Sequence, residues 1–150
     1  MSDSMPDIYE LRAEVQRFIR LFGLLEPSVT PCGYALSVSQ VLAMQELEQR
    51  RLTLSELAQA LFLERSTVSR LVDALVREDF VSRKINESNR REVYLSLTEK
   101  GRRSILRVKE QSAHYYESLL EGMSAEERIT ILGGFRLFAD CIARKKGGNT

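Results

Sequence analysis

One histidine and two cysteines are all this sequence offers to imidazole and thiol chemistry. A lone His114 excludes a His-based triad, and no glycine-rich loop is spaced to cradle a phosphate, so no enzyme is expected. Cys32 and Cys141 are far apart and form no C-x-x-C or metal-spaced set. The expectation is a reducing, cytoplasmic setting with no metal and no cofactor. No apolar run approaches the length needed to span a bilayer. The first residues lack a basic segment followed by an apolar core, so no signal peptide is expected. Charge of one sign is also missing: the formal net charge is +1 at pH 7. Such a chain does not coat nucleic acid by bulk charge, and any DNA surface on it must be local. There is no internal repeat and no low-complexity segment.

At 150 residues, 43% hydrophobic and 29% charged, the chain has the make-up of an ordinary globular domain. Residues 53–98 carry its clearest pattern. Thr53-Leu54-Ser55-Glu56 reads as a capping box. Leu54, Leu57, Ala58 and Leu61 follow at helical spacing, and after a break at Phe62-Leu63 the spacing returns in Val68, Leu71, Val72 and Leu75. Arg65, Ser66, Thr67, Ser69, Arg70 and Asp73 lie on the other face of this second helix. Two short amphipathic helices with a brief turn between them make a helix-turn-helix, whose second helix enters the major groove. Arginine can pair with guanine O6 and N7, while serine and threonine suit phosphates and several base edges.

Residues 81–85 and 92–97 read as two strands, with Val93, Leu95 and Leu97 on one face of the second. The polar, turn-prone run 86–91 between them ends in Arg90-Arg91. This is the pattern of a wing with guanidinium groups at its tip, suited to phosphates or a narrow minor groove. From Ser82 to Arg91 the bases Arg83, Lys84, Arg90 and Arg91 face the single acid Glu87. A neutral chain with a basic wing suits binding at specific sites.

The runs 54–58 and 66–75 resemble the helix-turn-helix of MarR/SlyA-type regulators. So do Asn89-Arg90-Arg91, the strand that follows, and Thr98-Glu99-Lys100-Gly101. The resemblance implies a homodimeric winged helix-turn-helix regulator, repressor or activator, on a pseudo-palindromic operator in double-stranded DNA. By that resemblance Ser66, Thr67, Ser69 and Arg70 fall at major-groove positions and Arg91 at the minor-groove arginine. Asn89 stands where many members have aspartate, and a neutral amide loses charge-assisted strength toward Arg91. Glu64 stands where a shorter capping residue is usual.

The flanks read as helices. Ile8, Leu11, Val15, Phe18, Ile19 and Phe22 mark the first, widened by Leu21, Leu24 and Leu25. It ends in a loop, 26–36, that contains Pro27, Pro31 and Gly33. Ser37 or Ser39 can cap the second, which closes on Gln49-Arg50-Arg51. Thr98 caps a long helix running to Gly122, and Ser124 to Glu127 form another capping box before a last helix containing Gly133-Gly134. The expected fold is therefore mostly α with a small β-hairpin wing. A winged helix-turn-helix over 37–98 is flanked by dimerisation helices in 1–36 and 99–150, within one compact chain.

Members of the family often bind small aromatic compounds between the dimer base and the winged unit. Phe22, Tyr34, His114 and Tyr115 can line such a cleft, or serve as ordinary core and helix-face side chains. Some members sense peroxides through cysteine, which puts Cys32 and Cys141 forward as redox candidates. A winged helix devoted to protein–protein contact is the other alternative. Against it, the wing tip and the exposed helix face are polar rather than apolar.

Overall fold

The structure, a computed structural model, describes residues 5, 7–27, 29, 30, 33 and 35–147. In chain order its elements are α1 (Ile8–Phe22), α2 (Val38–Gln49), β1 (Leu52–Thr53), α3 (Leu54–Leu61), α4 (Arg65–Arg77), β2 (Val81–Asn86), β3 (Asn89–Leu97), α5 (Glu99–Leu119) and α6 (Ala125–Gly147). Contacts divide the chain into two units, residues 1–112 and 113–150.

The core of the first unit is one apolar cluster. Val41, Met44 and Leu47 of α2, Leu57 of α3, and Val68, Val72 and Leu75 of α4 meet Leu52, Val81, Leu95 and Leu97 of the sheet. Ile105 and Val108 bring the first half of α5 into the same cluster. Leu57, Val68, Val72 and Leu75 are fully buried. Truncating a leucine in such a place to alanine costs about 2–5 kcal/mol.

Capping residues set where the helices start. Ser37, rather than Ser39, begins α2, exchanging hydrogen bonds with Gln40. The Thr53–Glu56 box begins α3. At the other end of α3, Phe62 closes the helix in the left-handed region at φ 54°, donating its N–H to the Ala58 and Gln59 carbonyls. The first helix stops earlier than its apolar spacing implies. Gly23, at φ 85°, terminates it by donating to the Ile19 and Arg20 carbonyls, so Leu24 and Leu25 lie beyond the helix. Glycine adopts this conformation at no steric cost, and it stops α1 before any proline is reached.

The sheet has three strands in the order β1-β3-β2, all antiparallel. Strands β2 and β3 form the expected hairpin, and β1 adds a third strand that the sequence did not show, pairing Leu52 with Leu95 and Thr53 with Tyr94. The wing strands are also longer than expected. The turn is Glu87-Ser88 alone, and Asn89, Arg90 and Arg91 belong to β3 rather than to a loop. Asn86 makes the turn tight, because its Oδ1 accepts from the Ser88 N–H at 3.1 Å and the Ser88 hydroxyl at 2.7 Å.

The second unit holds the end of α5 and α6. Gly122, at φ 81°, turns the chain between them. Ser124 and Glu127 form the expected capping box, with bonds of 2.8 and 3.1 Å. The helix α6 runs unbroken through Gly133-Gly134 and has no buried residue. A Cβ at either glycine would meet nothing within 4 Å.

Where the wing joins α5 the chain is tightly fixed. Thr98 Oγ1 donates to the Asp79 carbonyl at 2.6 Å and accepts from the Gly101 N–H at 3.0 Å. A Cβ on Gly101 would overlap the Phe80 carbonyl and press on Leu97. Gly101→Ala is therefore expected to destabilise the fold by about 1–3 kcal/mol, read from the urea midpoint. An unchanged midpoint would show that this junction yields freely.

Candidate nucleic-acid interface

Burial of Val68, Val72 and Leu75 turns the opposite side of α4 outward. Arg65, Ser66, Thr67, Arg70 and Asp73 are exposed and Ser69 is half-buried. Arg65 and Ser69 meet Arg83 and Arg91 of the wing, and Thr53 and Ser55 at the start of α3, around a concave surface of about 440 Å³. In the sequence Thr53 and Ser55 stand within a capping box and carry no signal of a binding surface. Their place beside Arg65 follows from β1, which is too short to show a strand period. Thr67 and Arg70 also line a second concavity, with Leu24, Leu63 and Leu71.

The wing cations divide by strand face. Pairing of Arg83 with Leu95 puts Arg83 on the side facing the helices, and alternation along β3 puts Arg91 on that side too. Lys84 pairs with Tyr94 on the outer side. There Arg51 stacks over the Tyr94 ring at 4.6 Å, a cation–π contact that accounts for the end of the Gln49-Arg50-Arg51 run. Arg83 forms an ion pair with Asp73 of α4. The side chains of Arg65, Arg70, Lys84, Arg90 and Arg91 make no hydrogen bond or ion pair with any described residue. They are exposed guanidinium and ammonium groups, available to phosphate oxygens or base edges.

Residues 36–93 match the model of the MarR family. Over that stretch the chain is similar to MarR-family proteins. No match to the chain is found among curated proteins. Among solved structures, FabT of Streptococcus pneumoniae in complex with DNA has 24% identity and a TM-score of 0.75, over 91% of this chain and 98% of its own. The transcriptional repressor CouR bound to a 23-mer DNA duplex has 25% identity and a TM-score of 0.71, over 91% and 99%. BpsR of Bordetella bronchiseptica, whose DNA binding is regulated by 6-hydroxynicotinic acid, has 20% identity and a TM-score of 0.67, over 93% and 97%. The chain thus has the fold of MarR-family transcriptional regulators, which are DNA-binding proteins rather than enzymes.

Two positions depart from the MarR pattern, and the structure shows how each is used. The Asn89 side chain accepts from the Arg91 backbone N–H at 3.2 Å, so it shapes the strand and leaves the Arg91 guanidinium unheld. Glu64 precedes α4 without capping it through its side chain. Among the effector candidates, Phe22 ends α1 and stacks on Phe18 with centroids 5.0 Å apart. His114 and Tyr115 lie in the second unit, where Tyr115 meets Tyr116 edge-on. Tyr34 and Cys32 lie outside the described residues. Cys141 is exposed on α6, with Arg144 Nη2 3.2 Å from its sulfur. Among the described residues no group of His, Cys, Asp or Glu could hold a metal ion, and no helix is long and apolar enough to cross a membrane.

The uncapped start of α4 is open to improvement. Glu64→Asp keeps the charge at the helix N-terminus and supplies a side chain short enough to reach its first amides. It is expected to stabilise the fold by about 0.5–1 kcal/mol in thermal unfolding. A loss of stability would mean that Glu64 has another role there.

Proposed function

We propose that the protein is a homodimeric, sequence-specific regulator that binds double-stranded DNA in the cytoplasm as a repressor relieved by a small aromatic effector. One observation carries this reading: five unpartnered cations and three hydroxyl side chains sit on α4 and the wing of a MarR-family fold. Arg65, Ser66, Thr67, Ser69 and Arg70 read the major groove, while Asn89, Arg90 and Arg91 reach the minor groove and its phosphates. The DNA complexes of FabT and CouR support the assignment. A dimer is supported by the second unit, where Ile129, Leu132 and Phe135 stand 71%, 51% and 54% exposed on α6. Apolar area of this kind is normally covered by a partner. Two recognition helices would then meet half-sites about 34–36 Å apart on a pseudo-palindrome.

Effector relief is supported by BpsR, whose DNA binding responds to an aromatic acid. Phe22, Tyr34, His114 and Tyr115 are the side chains proposed to meet such a ligand. Thiol sensing at Cys141 is the second reading, favoured by the Arg144 guanidinium beside its sulfur. A mass increase on Cys141 at sub-stoichiometric peroxide would support it, and an unchanged mass would remove it.

The test is selection from a random duplex pool at two salt concentrations. An enriched pseudo-palindrome with steep salt dependence is expected, whereas weak, uniform binding would favour a protein-interaction role. On the selected duplex, Arg91→Ala should weaken binding and flatten the log–log salt slope by about one. Arg70→Ala should weaken binding and relax preference at one base pair, by about 1–3 kcal/mol if it reads that base. Unchanged affinity in either variant would remove that residue from the interface. Phe135→Glu should yield monomers in sedimentation and bind the operator more weakly, while a stable dimer would place the interface elsewhere.

A further inference from the structure

The DNA-facing side of α4 contains one acid, Asp73, two turns beyond Arg65 in the row Arg65–Ser69–Asp73. A carboxylate there would repel the backbone phosphates that the surrounding arginines attract. It is not left alone: Arg83 of β2 pairs with it. We propose that Asp73 and Arg83 are a positioning pair, a brace that holds the wing at a fixed distance from the recognition helix, and that Arg83 is not itself a phosphate ligand. The proposal rests on the DNA-reading function above.

Three observations carry it. The pair joins the two elements that would touch DNA, and Arg83 lies on the inner side of the sheet, opposite Leu95. Leu95 stands four residues beyond Arg91 on the same side of β3, so whatever holds β2 to α4 also sets the reach of Arg91. Secondly, the two side chains are 43% and 52% exposed. An ion pair so open to water contributes little to folding stability, which leaves geometry as its main effect. Thirdly, the wing's other cations, Lys84, Arg90 and Arg91, pair with no described residue. Arg83 is set apart from them by its partner.

The brace makes a prediction of unusual sign. Removing an acid from a DNA-facing surface ordinarily strengthens binding, yet loss of Asp73 should weaken it. The experiment is a double-mutant cycle of Asp73→Asn, Arg83→Gln and the double variant, together with the reversed pair Asp73→Arg/Arg83→Asp. Each is read by binding to the selected duplex over a salt series and by amide hydrogen exchange of the free protein. For a brace, each single variant and the double variant lose affinity by the same factor, about tenfold, and the reversed pair recovers much of it. The salt slope stays that of the parent, and the amides of β2 and β3 exchange several-fold faster in every variant but the reversed pair.

Tighter binding by Asp73→Asn, with a slope flattened by about one in Arg83→Gln, would make Arg83 a phosphate ligand and overturn the proposal. Unchanged exchange in the wing would overturn it as well, whatever the DNA result. If the parent protein selects no duplex, the DNA-reading function fails, and the exchange data still decide whether the brace exists.

Discussion

Val68, Val72 and Leu75 cannot face water without giving up the core of the first unit, and their burial decides which side of α4 is presented outward. The outward side of the helix then carries Arg65, Ser66, Thr67, Arg70 and Asp73, so the same packing that stabilises the fold assembles the polar surface. The sheet lies over this cluster through Leu52, Val81, Leu95 and Leu97. Because side chains alternate along a strand, anchoring Leu95 and Leu97 fixes Arg91 on the side facing α4. The Thr98–Gly101 junction then leads the chain from the sheet into α5, whose Ile105 and Val108 return to the same core.

Charge is distributed to match. A chain of net charge +1 sets five unpaired cations, Arg65, Arg70, Lys84, Arg90 and Arg91, on α4 and the wing, and ties several others to partners. Arg83 is tied to Asp73, Lys109 to Glu48 at 2.8 Å, and Arg51 stacks on Tyr94. A surface built this way attracts DNA over a short range and, at physiological salt, leaves most of the binding to contacts made at the right geometry. On the proposed reading, the spacing between helix and wing then matters more than total charge.

Much of this was legible in the sequence because it rests on local rules. Thr53, Thr98 and Ser124 announced helix starts through short-range capping chemistry, and the spacing of Val68, Leu71, Val72 and Leu75 announced the face of α4. Strand β1 was not legible, since two residues carry no period and are strand only by pairing with β3. The early stop of α1 was hidden because apolar spacing continued into Leu24 and Leu25 past Gly23, the residue that ends the helix. Arg90 and Arg91 read as loop residues because turn-prone neighbours outweighed the pairing that extends β3 to Asn89. The Asp73–Arg83 pair depends on strand register and helix orientation together, which no local pattern contains. Sequence alone could list Arg83 among the wing cations but not its partner.

If α4 and the wing form one reading surface, DNA must protect both at once. Hydrogen exchange of the protein with and without its selected duplex tests it most directly. Slowed exchange is expected only at the start of α3, the first turns of α4, and β2–β3 through the Glu87-Ser88 turn, with α6 unchanged. Protection centred on α6, or a wing that exchanges equally fast with and without DNA, would contradict it.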